Sequence, residues 1–171
     1  HRNRPNSIYK GEMQMQYRMK THQLPQSEVH ALLNRSLTGS LSTIDSDGAP
    51  YSVPIHFVFL DGAIYFHGLP AGQKLDNLKA DPRVCFSVYE MRAFLLDPDG
   101  KPCDTNTAYV SAVVRGTAKL LDIQEEKQRV LSAIVAKYTP QLAGRELPSN
   151  MVKGTAVVQI IIEKMTGKYY Q

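Results

Sequence analysis

The sequence predicts a mainly β domain of the α+β class, in which about six mostly antiparallel strands form an open or closed barrel with a few flanking helices. Two observations lead to this expectation. Apolar and polar residues alternate on both sides of Asp61-Gly62, and an Asp-Gly pair favours a tight β-hairpin. Further β-rich segments follow at 83–89, 107–121 and 155–162, whereas apolar residues at helical spacing are confined to shorter stretches.

The chain has 171 residues, 43% of them hydrophobic, which suffices for one domain with a sizeable core. We divide it into an N-terminal arm, residues 1–23, and one folded domain, residues 24–171. Cys85 and Cys103 lack the spacing of a disulfide scaffold or a zinc site, so a reducing compartment fits the chain. No apolar run approaches the ~20 residues that cross a bilayer, and the net charge of +4 is mild and scattered. We therefore expect a cytoplasmic protein with no membrane or nucleic-acid partner.

The register of the hairpin follows from placing Asp61 and Gly62 in the turn. The expected pairs are Leu60–Ala63, Phe59–Ile64, Val58–Tyr65, Phe57–Phe66 and His56–His67. One face is then wholly apolar and must belong to the core, while the other has the mixed character of a ligand site or a subunit interface. The core face carries Val53, Ile55, Phe57, Phe59, Ile64 and Phe66, and the mixed face carries Ser52, Pro54, His56, Val58, Tyr65 and His67.

Short helices are expected after Ser27, Lys74 and Asp122, where apolar residues recur at helical spacing. Asp122 and Glu125 have the spacing of a capping box at the start of the third helix. Gly116 lies inside the long β-rich segment that precedes this helix and would permit a bend there.

The segment GLPAGQK, residues 68–74, leaves the hairpin through small residues and reaches a lysine at the start of a predicted helix. A helix N-terminus exposes unpaired backbone N–H groups, and Lys74 adds a full positive charge, so the pattern favours binding of a phosphate ester. The segment does not follow the Walker A pattern, which argues against hydrolysis of a magnesium nucleotide. An ordinary strand-to-helix connection with a solvated lysine fits the pattern equally well.

His67 alone is more typical of a partly buried histidine than of a site residue. Its expected position opposite His56 raises the question of a metal, but no third histidine or carboxylate has a predictable place beside the pair. We therefore expect no metal site.

Several segments, in order, carry a resemblance to a known family. They are DGAPYSVP, DGAIYFH, GQK with its Leu-rich helix, DPRVCF, CDTNTAYVSAVVRG and IEKMTGK. In these segments the chain resembles the FMN-binding split-barrel proteins related to pyridoxamine 5′-phosphate oxidase, and in particular the Nim-type nitroimidazole-resistance branch. The resemblance leaves only the N-terminal arm uncovered. It implies a six-stranded antiparallel split β-barrel.

The resemblance also implies a homodimer with FMN at the subunit interface. In this family a strand matching residues 51–54 runs along the flavin ring, Lys74 with the preceding backbone meets the phosphate, and Ser111 reaches the cofactor. His67 lies beside the flavin and is the candidate catalytic residue, as a donor of protons or electrons. The cofactor-binding residues implied are Tyr51, Ser52, Val53, Pro54, His67, Gly72, Gln73, Lys74 and Ser111.

The function expected from the resemblance is that of an FMN-dependent oxidoreductase. It would take electrons from a donor and reduce a small oxidised substrate, with nitroimidazole-like compounds as one candidate. Oxidation of pyridoxamine phosphate is not expected, since the substrate-phosphate residues of those oxidases have no counterpart near the end of this sequence. A flavin-binding protein without turnover, a haem-binding split barrel with His56 or His67 as axial ligand, and a deazaflavin in place of FMN remain alternatives.

Overall fold

The computed structural model describes residues 17–171, and the preceding part of the N-terminal arm lies outside the described residues. The strands are β1 (Gly39–Ile44), β2 (Pro50–Ile55), β3 (Val58–Leu60), β4 (Ala63–Gly68), β5 (Arg83–Leu95), β6 (Asn106–Leu120) and β7 (Ala156–Tyr170). The helices are α1 (Tyr17–Thr21), α2 (Gln26–Arg35), α3 (Gln73–Ala80), α4 (Gln124–Tyr138) and α5 (Ser149–Gly154). Within residues 17–171, no helix is both long and apolar enough to cross a membrane.

All these strands belong to one antiparallel sheet with the order β2-β1-β5-β6-β7-β4-β3. Its edge strands, β2 and β3, follow each other in the chain and are separated only by His56 and Phe57. A flat sheet of this width would hold its edges about 29 Å apart, whereas the three peptide units between Ile55 and Val58 span at most about 11 Å. The sheet therefore curls until its edges approach along a seam between β2 and β3.

The predicted antiparallel barrel of the α+β class is confirmed, with seven strands in the described residues instead of six. The additional strand arises because the run YSVPIHFVFL, expected to be one strand, is divided into β2 and β3. β2 pairs with β1, and β3 pairs with β4.

The hairpin register is correct near the turn and wrong beyond Val58. The first three expected pairs, from Leu60–Ala63 to Val58–Tyr65, are present. Phe66 and His67, the expected partners of Phe57 and His56, pair only with β7 on the other side of β4, opposite Val158 and Val157, because β3 begins at Val58.

The end of α4 explains this break. The Tyr138 hydroxyl accepts a hydrogen bond from the Phe57 N–H at 2.8 Å, and it lies 2.9 Å from the Phe57 carbonyl and 2.8 Å from that of Leu37. Lys137 Nζ donates to the Phe57 carbonyl at 3.0 Å and to that of Leu33 at 3.3 Å. The backbone groups of Phe57 are therefore satisfied by side chains, and they need no strand partner.

The barrel interior is built from the face that the alternation predicts. Ile55, Phe57, Ile64 and Phe66 are buried in the main core, and Val53 and Phe59 pack against them. α2 and α3 close this core with Val29, Leu32, Leu33, Leu75 and Leu78.

The opposite face differs from the expectation in its middle. Val58 and Tyr65 are buried against Val130 and Ile134 of α4 in a second cluster, so the prediction that they lie on a ligand or interface face is wrong. The reason is that α4, which comes from a distant part of the chain, covers this region. Ser52, Pro54, His56 and His67 are exposed in the single chain, so their expected place on a ligand or interface face stays a prediction.

The predicted capping box is also wrong. α4 begins after Ile123, and within residues 17–171 no side chain caps its N-terminus, so Asp122 lies one residue too early to serve as the cap. Glu125 and its neighbour Glu126 still place negative charge in the first turn, where the helix dipole favours it.

Gly116 provides a test of barrel packing. It lies at the irregularity where β6 shifts register against β7, and a Cβ there would collide with the carbonyl oxygen of Ile161. Gly116→Ala should lower the free energy of unfolding by about 1–3 kcal/mol in urea titrations. Gly154→Ala is the control, because its Cβ would meet no atom within 4 Å. Equal stabilities of the two variants would contradict the close approach of β6 and β7.

Lys137 predicts a pH dependence of stability. Burial lowers its pKa from 10.5 to about 8, so the folded chain releases this proton at a lower pH than the unfolded chain. The unfolded state therefore binds more protons between these values, and the contribution of Lys137 to the free energy of unfolding rises with pH from about 8 to 10.5. Chemical denaturation should show this slope, and Lys137→Met should remove it. A difference between the two proteins that stays constant across this interval would exclude the predicted titration.

Candidate functional site

A first cavity lies where β2, β4 and β7 meet the start of α3, and we call it the α3 cavity. Its volume is about 320 Å³. Phe66, Leu75, Ala156 and Val158 give it an apolar wall. Of the residues predicted to bind a cofactor, it brings together Tyr51, Val53, Pro54, Gly72, Gln73 and Lys74.

The start of α3 gives one end of this cavity a positive character. Gly72 precedes the helix with a φ of 136°, a conformation that is essentially restricted to glycine, and no side chain of the described residues caps the helix. The first backbone N–H groups of α3 therefore have no partner within the helix. Lys74 is half-buried, and its Nζ lies 5.4 Å from the centre of the Phe66 ring. The arrangement suits an anion next to an apolar group.

A buried amide fixes α3 to the barrel. Asn77 is 1% exposed, its Nδ2 donates to Thr43 Oγ1 at 2.9 Å, and its Oδ1 accepts from Gln73 Nε2 at 2.7 Å. These bonds connect the buried Thr43 of β1 to the first residue of α3. One signal in the sequence was overlooked, a polar residue between Leu75 and Leu78 on the core-facing side of the helix.

A second cavity of about 330 Å³ opens at the seam, and we call it the histidine cavity. It is lined by Thr38, Pro54, Ile55, His56, His67 and Lys74. Lys74 therefore borders both cavities. The His56 ring is stacked on Tyr138, with 4.8 Å between ring centres and 22° between ring planes.

The pKa of His67 lies below its ordinary value. The main cause is desolvation by the surrounding cavity atoms, even though part of the ring is accessible, and the positive charges of His56 and Lys74 lower the pKa further. His67 is therefore mainly a neutral imidazole at neutral pH, with one nitrogen able to donate a hydrogen bond and the other able to accept one.

Two predicted site residues lie apart from these cavities. Ser52 does not line the α3 cavity, and its hydroxyl accepts a hydrogen bond from the Ser42 hydroxyl at 3.1 Å. Ser111 lines a separate cavity of about 350 Å³, formed with the segment before α2 and with β7. The described chain thus does not bring Ser111 together with Lys74 or His67.

The antiparallel sheet curls until its two edges meet at the seam, which makes it a β-barrel of the split type. A cavity suited to an anion lies where the loop after β4 reaches α3. The model of the pyridoxamine 5′-phosphate oxidase family matches residues 25–169. The protein belongs to this family, as its sequence segments indicated.

Solved structures support the same fold. A candidate 5-nitroimidazole antibiotic resistance protein from Bacteroides thetaiotaomicron is similar with a TM-score of 0.76 and 22% identity, over 86% of each chain. An FAD- and haem-binding protein from Mycobacterium smegmatis is similar with a TM-score of 0.79 and 18% identity, over 88% of this chain and 74% of that one. A flavocytochrome from Azotobacter vinelandii has a TM-score of 0.74 and 20% identity, over 86% of this chain and 68% of that one. A comparison with curated proteins finds no match.

Asn77 offers a test of how α3 is held. Asn77→Leu should remove the bonds to Gln73 and Thr43 and lower the free energy of unfolding by about 1–3 kcal/mol, because the buried Thr43 hydroxyl loses the amide that donates to it. Asp76→Leu is the matched control, since the neighbouring Asp76 side chain is exposed. Thermal or urea unfolding measures both variants, and an Asn77→Leu protein as stable as the control would rule out the proposed anchoring.

Proposed function

We propose that this protein binds FMN and acts as an oxidoreductase on a small oxidised substrate. The observation that carries the proposal is the α3 cavity, which joins an apolar wall to an uncapped helix N-terminus and the Lys74 ammonium. A flavin mononucleotide has the matching parts, an apolar ring system and a terminal phosphate. Membership of the pyridoxamine 5′-phosphate oxidase family and the similarity to flavin-binding proteins support this choice.

The roles follow from position in the fold. Lys74 and the first N–H groups of α3 would bind the phosphate. β2 is an edge strand, so half of its backbone groups have no strand partner, and those near Ser52 can hydrogen-bond the rim of a flat ring. This explains how Ser52 can contribute while its hydroxyl lies against Ser42.

Ser111 supports a homodimer as part of the proposal. Its cavity is separate from the α3 cavity, so Ser111 would reach the cofactor from the second subunit. Val113, which lies beside Ser111 in that cavity, has 41% of its surface exposed although it is apolar. A second copy of the chain would bury this residue.

His67 is the proposed proton donor. FMN supplies the redox chemistry when bound, and the protein must provide the protons that reduction of the substrate consumes. His67 borders the histidine cavity, next to Lys74, and can donate an N–H from a neutral ring or a proton from a charged one. Nitro compounds are a candidate substrate class, in line with the similarity to the Bacteroides protein.

Haem binding is the second candidate. One of two accessible imidazoles, His56 or His67, would hold the haem iron, and the similarity to the flavocytochrome and to the FAD- and haem-binding protein favours keeping this alternative. The absorption spectrum separates the two candidates, because a Soret band reports haem and the flavin bands report FMN.

FMN titration of the purified protein tests the proposal. Lys74→Ala should weaken FMN binding by about 1.5–3 kcal/mol, because it removes a charged hydrogen bond to the phosphate. His67→Ala should weaken binding less, since His67 is assigned to the ring side. Lys79→Ala, an exposed lysine in the last turn of the same helix, controls for net charge and should bind as the native protein does. Flavin bands that are absent from the purified protein and do not develop with added FMN would refute the proposed function.

A further inference from the structure

We propose that a further cavity, which lies between the start of α2 and the strand ends where Tyr109 of β6 pairs with Tyr170 of β7, binds a free aromatic α-amino acid. Glu28 would contact the ammonium of this ligand, and Arg92 would contact its carboxylate. We call it the tyrosine cavity, and its volume is about 250 Å³. It shares no lining residue with the α3 cavity or the histidine cavity, so the inference does not rest on the proposed function.

Tyrosine rings give this cavity an aromatic character. Tyr109 and Tyr170 lie directly opposite each other on β6 and β7, and Tyr169 also lines the cavity. Leu24 and Val110 add apolar surface. Aromatic side chains pair favourably with a further ring in offset or edge-to-face arrangements. The cavity therefore suits a ligand with an aromatic group.

Two charges of opposite sign line the same cavity without neutralising each other. Glu28, in the first turn of α2, and Arg92, near the end of β5, are both lining residues. They do not form an ion pair with each other, and within residues 17–171 the Glu28 carboxylate makes no ion pair with any other cation. A negative and a positive group are therefore both available to a ligand in this cavity.

Arg92 retains hydrogen-bond donors for such a ligand. Its Nε donates to Glu90 Oε1 at 3.3 Å, but the same carboxylate accepts bonds from Arg35 at 2.9 Å and 3.1 Å. Two guanidinium groups thus share one carboxylate. The terminal nitrogens of Arg92 have no hydrogen-bond partner within the described chain, and such nitrogens bind a carboxylate through two parallel bonds.

A zwitterion matches this pair of charges better than a singly charged ligand does. An α-amino acid carries its ammonium and its carboxylate on one carbon atom, so it can bridge Glu28 and Arg92 while its side chain lies among the tyrosine rings. A ligand that has only one of the two charges would make only one of the two contacts. The cavity therefore favours an aromatic α-amino acid over the corresponding amine or acid.

The wall opposite the strands is fixed before a ligand enters. The Leu24 N–H donates to the Gly167 carbonyl at 2.9 Å, and the Tyr169 N–H donates to the His22 carbonyl at 3.0 Å. The centre of the His22 ring also lies 5.5 Å from the ring centres of Tyr169 and Tyr170. Because the segment before α2 is held against β7 in this way, binding requires less ordering of the protein.

The test uses L-tryptophan as the probe. The chain contains no tryptophan, so the fluorescence of the ligand can be read without a tryptophan background from the protein. Its anisotropy should rise as protein is added up to about 1 mM, which detects even millimolar dissociation constants. Tryptamine, which lacks the carboxylate, and indole-3-propionate, which lacks the ammonium, should each bind about three- to tenfold more weakly, because each loses one charged contact that solvent partly screens. No rise with L-tryptophan, or equal affinities for the three probes, would overturn the inference.

Variants assign each charge to its side chain. Glu28→Gln should abolish the preference for L-tryptophan over indole-3-propionate and retain the preference over tryptamine, and Arg92→Gln should do the reverse. This reciprocal loss cannot result from unfolding, which would abolish binding of all three probes. Glu126→Gln and Arg145→Gln, at exposed positions outside the cavity, are the matched controls and should keep both preferences. Retention of both preferences in the Glu28 and Arg92 variants would overturn the assignment.

The outcome is separable from that of the proposed function. The protein should bind L-tryptophan equally well before and after saturation with FMN, because the tyrosine cavity and the α3 cavity have no lining residue in common. Displacement of FMN by L-tryptophan would overturn the inference, since the amino acid would then be using the flavin site. A protein that does not bind FMN would refute the proposed function alone, and the charge variants would still decide whether the tyrosine cavity takes the amino acid.

Discussion

The rest of the structure depends on the hydrogen bonds between Tyr138 and the peptide groups of Phe57. They provide partners for the Phe57 N–H and carbonyl at the point where the apolar run YSVPIHFVFL is divided into β2 and β3. β2 can then pair with β1 and β3 with β4, and the short connection between them forces the sheet to curl. The Tyr138 hydroxyl at the end of α4 thus takes the place of the backbone partners that Phe57 would have in a continuous hairpin. Closure of the barrel therefore depends on a helix packed on its outside.

The location of the candidate site follows from this closure. Both cavities border the seam, with β2 as an unpaired edge on one side and the end of β4 with the start of α3 on the other. Lys74 lies at the boundary between the cavities, so its charge can act on an anion that enters the α3 cavity, and it also lowers the pKa of His67. In the proposed FMN complex, a phosphate that neutralises Lys74 would therefore also change the protonation of His67.

The seam also contains two donors, Lys137 and His67, for which residues 17–171 provide no acidic partner. Lys137 bonds to carbonyl oxygens, and burial lowers its pKa. His67 has a lowered pKa for the related reason that desolvation and neighbouring positive charges oppose its protonation. In both groups, desolvation is the first cause of the lowered pKa.

The sequence by itself determined the features that depend on neighbours along the chain. These are the Asp61-Gly62 turn and the first three hairpin pairs, the apolar core face, and the position of Lys74 at a helix start. Contacts between distant segments decided the others. Tyr138 interrupts the strand that the alternation had predicted to continue through Phe57, and α4 covers Tyr65. Asn77 holds α3 against β1, and Ser111 lines a cavity separate from that of Lys74. Periodicity reports which way a side chain points, but only tertiary packing determines what lies opposite it.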